Sequence, residues 1–107
     1  MPKATALGLR AEGSVAAAWV PVPPLTGAFV VNIGDMMERW TNGRLPSTLH
    51  RVVNKSGRER FSLALFYEPN GDCHVDPLCA EGDVPKYEPV ERYGDWLTAK
   101  FNATGGG

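Results

Sequence analysis

Nine prolines and twelve glycines interrupt a chain of only 107 residues. Proline lacks a backbone donor and glycine relaxes the backbone, so long helices are excluded from most of the chain and short strands joined by turns are favoured. The apolar pattern between these breaks predicts strands at 7–10 and 19–22, joined by a turn at 12–14. Pro21, Pro23 and Pro24 confine the second strand to a sheet edge. Residues 27–32 (GAFVVN) are β-branched, apolar and bounded by turn residues, which predicts a buried strand. A short helix follows at 36–39 with Asp35 as its N-cap, then a turn at 41–43. Trp40 is expected in the core.

Residues 48–53 alternate as a strand, 54–57 form a polar turn, and 59–67 carry the longest strand signal in the chain. Residues 68–72 end that strand, and 73–75 could add a short one. Three more prolines lie in the loop before a segment at 90–101 with helical spacing, where Tyr93, Trp96, Leu97 and the stem of Lys100 share one face. Tyr93 and Trp96 are expected to dock this helix onto the sheet. The fold class is therefore mainly β, a sandwich or jelly roll with a C-terminal helix.

Composition narrows the function classes. With 43% hydrophobic and 21% charged residues the chain is ordinary for a globular protein of one small domain. Eleven basic residues against twelve acidic ones leave no electrostatic attraction to nucleic acid or to an anionic membrane. No stretch approaches the roughly 20 apolar residues of a membrane span. Two cysteines, Cys73 and Cys79, are too few and too close for a secreted disulfide framework, so reduced thiols and a cytoplasmic setting are expected.

The chemistry concentrates in His50, Arg60 and Ser62. In a strand over 59–67, Arg60, Ser62, Ala64 and Phe66 face one way and Phe61, Leu63, Leu65 and Tyr67 the other. Both faces are largely apolar, which marks a central strand. A guanidinium buried there costs several kcal/mol unless an anion meets it. A carboxylate meets it best, because the planar fork accepts two parallel hydrogen bonds, and Ser62 adds a hydroxyl to the same anion. The plain alternative is that Arg60 sits at the strand mouth and reaches water. His50 is open in the same way, as a structural residue or a ligand. Turns of three or five residues would set it opposite Arg60, whereas a four-residue turn would not.

The motifs GAFVVNIGD at 27–35, WTNG at 40–43, STLHRV at 47–52 and RFS at 60–62 resemble the C-terminal part of the isopenicillin N synthase-like iron(II)/2-oxoglutarate-dependent dioxygenases. The likeness extends to WVPVPPL at 19–25, FYEPN at 66–70, VDPL at 75–78 and KYEPV at 86–90, and so covers nearly all of residues 7–102. The resemblance implies a partial double-stranded β-helix, a jelly roll with strands over 7–78 and a loop and helix over 79–107. By the same resemblance His50 matches the family's distal iron-ligand histidine, while Arg60 and Ser62 match the pair that binds 2-oxoglutarate. The implied cofactors are iron(II) and 2-oxoglutarate, with ascorbate as an accessory reductant, and the implied partner is a small-molecule substrate.

The family's His-x-Asp motif lies upstream of the segment that Leu7 begins, and no match to it stands there. The chain is accordingly expected to be a C-terminal fragment lacking an N-terminal segment, inactive alone, with a non-catalytic binding module of the same fold as the rival reading. His74-Val75-Asp76 spells the motif out of place, after the Arg60 strand. Its two side chains would share a strand face, so a metal pair and a solvated strand end are the readings to separate.

Overall fold

The structure is a computed structural model and describes residues 6–10 and 19–105. The expected turn at 12–14 lies outside the described residues. The chain divides into two compact units, Met1–Gly34 with Ser47–Ala64, and Asp35–Pro46 with Leu65–Gly107.

The first unit holds a three-stranded antiparallel sheet of β1 (Ala6–Arg10), β2 (Trp19–Val22) and β3 (His50–Val53), in the order β2-β1-β3. The two expected strands pair antiparallel, with Leu7 opposite Val22 and Arg10 opposite Trp19. Pro21 sits on β2 at a sheet edge, where a missing N–H is tolerated. β3 lies on the other side of β1, pairing Leu9 with His50 and Ala6 with Val53. The turn after β3 is tied by its own side chains. The Asn54 carboxamide oxygen accepts from the Ser56 N–H at 3.1 Å and from its hydroxyl at 2.6 Å, while Asn54 Nδ2 donates to the Arg58 carbonyl at 2.8 Å.

Two expected strands do not form. Residues 27–32 follow a turn closed by Ala28 N–H to Leu25 O (3.1 Å), with Gly27 at φ 76°, and then run without a ladder. Residues 59–67 are likewise unpaired. Phe29 is 96% exposed and Phe61 84%, and Leu63, Leu65 and Tyr67 are exposed beside them. β propensity measures fit to a pleated, half-buried surface, and it makes no strand until a neighbour supplies the ladder and covers the side chains. Among the described residues no strand pairs with either segment.

The second unit is built on α1 (Asp35–Trp40) and α2 (Tyr93–Ala103). α1 ends in a Schellman turn. Gly43 N–H donates to Glu38 O at 2.8 Å and Asn42 N–H to Arg39 O at 3.1 Å, with Asn42 in the left-handed region at φ 53°. Asn42 is buried, and its side chain clamps the loop before Pro89: Nδ2 donates to Val84 O at 3.1 Å and Oδ1 accepts from Lys86 N–H at 2.7 Å. The Tyr87 hydroxyl then donates to Glu38 at 2.6 Å, and the Arg39 guanidinium lies over the Tyr87 ring.

The expected short strand at 73–75 is a single antiparallel bridge, Val75 to Val90, closed by two hydrogen bonds of 2.9 Å. Val75 (2% exposed), Val90 and Tyr93 (4%) make the apolar core of the described residues. α2 arrives directly after this bridge, with Tyr93 N–H on Cys73 O and Gly94 N–H on Gly71 O. A Cβ at 94 would meet the Gly71 carbonyl oxygen at 3.2 Å, so a side chain there would crowd the close approach. Tyr93 stacks on Trp96 at 5.9 Å and Lys100 lies over Trp96 and pairs with Asp35. The expected helical face is present and packs within the unit of the Val75–Val90 bridge. Trp40, expected in the core, is 37% exposed. It ends α1, and its carbonyl is what the fold uses, accepting from Leu78 N–H at 2.8 Å. Among the described residues no helix is long and apolar enough to cross a membrane.

Asn42 does two separable things, so two substitutions should differ. Asn42→Gly keeps the left-handed backbone and leaves Val84 O and Lys86 N–H without partners, a loss of about 1–3 kcal/mol. Asn42→Ala adds about 1–2 kcal/mol of backbone strain to the same loss. Urea unfolding followed by Tyr and Trp fluorescence should rank wild type above Asn42→Gly above Asn42→Ala.

Candidate functional site

All three expected site residues fall in the first unit, and the structure treats them differently. His50 opens β3 and is exposed. Its Nδ1 lies 2.9 Å from the Thr48 carbonyl oxygen. A carbonyl only accepts, so this bond requires the proton on Nδ1 and leaves the Nε2 lone pair free in the neutral ring. That is the tautomer and orientation of a histidine able to bind a metal through Nε2. Thr48 N–H in turn donates to Ile33 O at 3.3 Å, which anchors the backbone carrying the acceptor.

Strand alternation places the neighbours. Leu9 of β1 is opposite both His50 and Val20, so His50 shares a sheet face with Val20, Val22 and Val52. Trp19, Pro21, Arg51 and Val53 occupy the other face. Arg60 and Ser62 lie outside the sheet, exposed, in the unpaired segment 59–67. Among the described residues no hydrogen bond or ion pair joins His50, Arg60 and Ser62.

The out-of-place His-x-Asp forms an ion pair. His74 Nε2 is 2.9 Å from Asp76 Oδ1, and Nδ1 is 3.5 Å from Glu91 Oε2. Both ring nitrogens are thus turned to separate carboxylates. The hydrogen bond to Asp76 is the main reason the His74 imidazole is held above its ordinary pKa, with the charges of Asp76 and Glu91 adding to it against partial desolvation. Glu91 had no signal of its own in the sequence. It becomes visible only once Val75 is known to face Val90, because the adjacent pair in that register is His74 with Glu91. Among the described residues no three His, Cys, Asp or Glu side chains are grouped to hold a metal ion. His50 alone does not make an iron site.

Comparison with known proteins decides the lineage. The pattern of the 2OG-Fe(II) oxygenase superfamily matches residues 5–69. The chain belongs to that family. It is 45% identical to the 2-oxoglutarate-Fe(II) type oxidoreductase hxnY of Emericella nidulans over 78% of this chain and 25% of that protein. It is 51% identical to the homoarginine-6-hydroxylase 2-ODD-233 of Oryza sativa subsp. japonica, over 77% of this chain and 26% of that protein. With the 2-oxoglutarate-dependent dioxygenase caaD of Aspergillus niger it shares 45% identity over 88% of this chain and 27% of the other. The chain spans about a quarter of the length of these curated relatives. No solved structure matches it. Oxygenases of this superfamily have a jelly-roll fold and depend on iron(II) and 2-oxoglutarate; the matched span, 5–69, includes positions 50, 60 and 62 and ends before His74.

The His74 cluster has a pH signature. Its folded-state pKa lies above the ordinary 6.5 of the unfolded chain, so its contribution to stability is present below that value and lost as pH rises through the folded pKa. Thermal unfolding followed by near-UV circular dichroism of Tyr93 and Trp96 should show a modest fall in midpoint as pH rises above 6.5. His74→Gln should flatten that dependence. The effect is small because the cluster is solvent-exposed.

Proposed function

We propose that this chain carries the C-terminal share of the site of an iron(II)/2-oxoglutarate-dependent oxidoreductase, within a partial double-stranded β-helix. His50 is its iron ligand, Arg60 and Ser62 bind the far carboxylate of 2-oxoglutarate, and the His-x-Asp pair comes from outside the described residues. The prime substrate is a small molecule. The observation that carries this reading is the His50 ring, whose Nδ1 bond to Thr48 O leaves Nε2 free on a strand inside the matched span. The exposed apolar residues of 59–67 support it from a second direction. A segment with Phe61, Leu63 and Leu65 on one face and Ala64 and Phe66 on the other is built for the interior of a sheet, and it stands unpaired here.

A second reading is a non-catalytic binding module of the same fold; among the described residues no three His, Cys, Asp or Glu side chains are grouped to hold a metal ion. Incubation of the chain with iron(II), ascorbate and 2-oxoglutarate labelled at its C1 carboxyl separates the outcomes. The chain alone should release no labelled carbon dioxide above a no-protein control. Release abolished by His50→Ala would show that the chain holds the remaining ligands itself, and loss in His74→Ala or Asp76→Ala would assign them to that pair.

Joined to an upstream segment carrying His-x-Asp, the protein should bind 2-oxoglutarate and turn it over, which the binding-module reading does not allow. In that joined protein Arg60→Lys should weaken 2-oxoglutarate binding by about tenfold or more, because an ammonium cannot reproduce the two-pronged bond. Isothermal titration with an unreactive 2-oxoglutarate analogue measures it, and unchanged affinity would remove Arg60 from the site.

A further inference from the structure

β3 is a four-residue strand at the edge of its sheet, laddered by β1 alone among the described residues. Short edge strands fray first at their ends, and His50 is the end residue of this one. The orientation of its ring depends on a bond that spans two residues, Nδ1 to Thr48 O, and therefore on the backbone of 48–50 staying extended.

One side chain ties this end of β3 across the whole sheet. The Arg51 guanidinium carbon lies 4.0 Å from the centroid of the Trp19 ring, which belongs to β2 at the opposite edge. The register shows how it reaches. Arg51 is opposite Gly8, Trp19 is opposite Arg10, and Gly8 and Arg10 are two apart on β1, so both partners stand on one face. Gly8, the β1 residue opposite Arg51, carries no side chain on that face. Trp19 is half-buried, and a partly desolvated ring face strengthens its attraction for a cation. His50, adjacent in sequence, is presented on the other face by the pleat.

We infer that Arg51, stacked on Trp19, is a positioning residue for His50, holding the start of β3 in the ladder so that the His50 ring keeps its Nδ1 bond and offers Nε2. The inference rests on His50 being the iron ligand. It concerns the ring's orientation before any metal is bound, so it is read on the metal-free chain. A cation on an aromatic face at a site of this exposure shifts a local equilibrium roughly two- to fivefold. That is the scale on which the aligned and frayed forms of β3 should respond.

The chain has two histidines, so ring nitrogen-15 spectra at about pH 8, above the ordinary imidazole range, report His50 and His74 separately. In the wild type the Nδ1–H tautomer of His50 is expected to dominate. Arg51→Ala and Trp19→Leu should each lower the ratio of Nδ1–H to Nε2–H at His50 by roughly two- to fivefold. His74, in the other unit, should be unmoved. Arg51→Lys and Trp19→Phe keep a cation over a ring, so they should fall between wild type and these losses. If Arg51→Ala does not fold, the two conservative variants decide the matter by the same ratio. A lowered melting temperature with an unchanged His50 tautomer ratio would make the stack merely structural and overturn the inference. Zinc(II) titration of the protein joined to an upstream segment carrying His-x-Asp separates this from the ligand assignment. Failure of zinc to perturb His50 Nε2 would defeat the assignment and leave the tautomer comparison standing.

Discussion

The backbone's need for a hydrogen-bonding partner decides which parts of this chain become sheet and which remain open. Among the described residues β1 is the one strand with a neighbour on each side, and the strands of its unit are in register with it. The pairing of Leu9 with both Val20 and His50 sets which face the imidazole takes, and the pairing of Gly8 with Arg51 sets the opposite face for the guanidinium. A one-residue slip of β3 would exchange the two. Segments at 27–32 and 59–67 have equal or better β composition, yet they lack a partner among the described residues and stay unpaired.

The other unit solves its pairing problem with little regular structure. A single bridge between Val75 and Val90 buries two β-branched side chains, and the chain leaves it straight into α2, with Tyr93 completing the core. Burial holds the Tyr93 phenol up to about 12, aided by its hydrogen bond to Glu68, so the hydroxyl stays a neutral donor through the physiological range. Asn42 does for the loop what a strand would do elsewhere, taking one carbonyl and one N–H from the segment 84–86. A buried carboxamide is suited to this because it donates and accepts from one side chain.

Local chemistry was legible in the sequence where it is also local in the fold. The pairing of the first two strands, Pro21 at the edge in β2, the turn at 41–43 and the helical face of Tyr93, Trp96 and Leu97 each appear. The failures at 27–32 and 59–67 share one cause: strand composition announces what a segment suits, not whether a partner is present. Trp40 failed because size and hydrophobicity do not say which side of a six-residue helix faces the core. His50 and Arg60 were singled out by motif spacing and the family resemblance. The Arg51–Trp19 stack and the His74–Glu91 pair were not, since both need the cross-strand register.

The exposure of Arg60 bears on what its guanidinium can do. A buried guanidinium on a two-faced apolar strand must meet an anion or pay heavily in desolvation, and that argument singled out Arg60 at the outset. In the described structure 59–67 is open to water, so the desolvation that would force a partner is absent. An ion pair made in this state would contribute at most about 1 kcal/mol, like other exposed pairs. Sheet neighbours along 59–67 would dry the same group and turn a weak surface contact into a charge-assisted, two-pronged one. On the proposed assignment of Arg60 and Ser62 to the cosubstrate, affinity for a dicarboxylate would be coupled to completion of the sheet through the burial of one side chain, and recognition and assembly would draw on the same short segment.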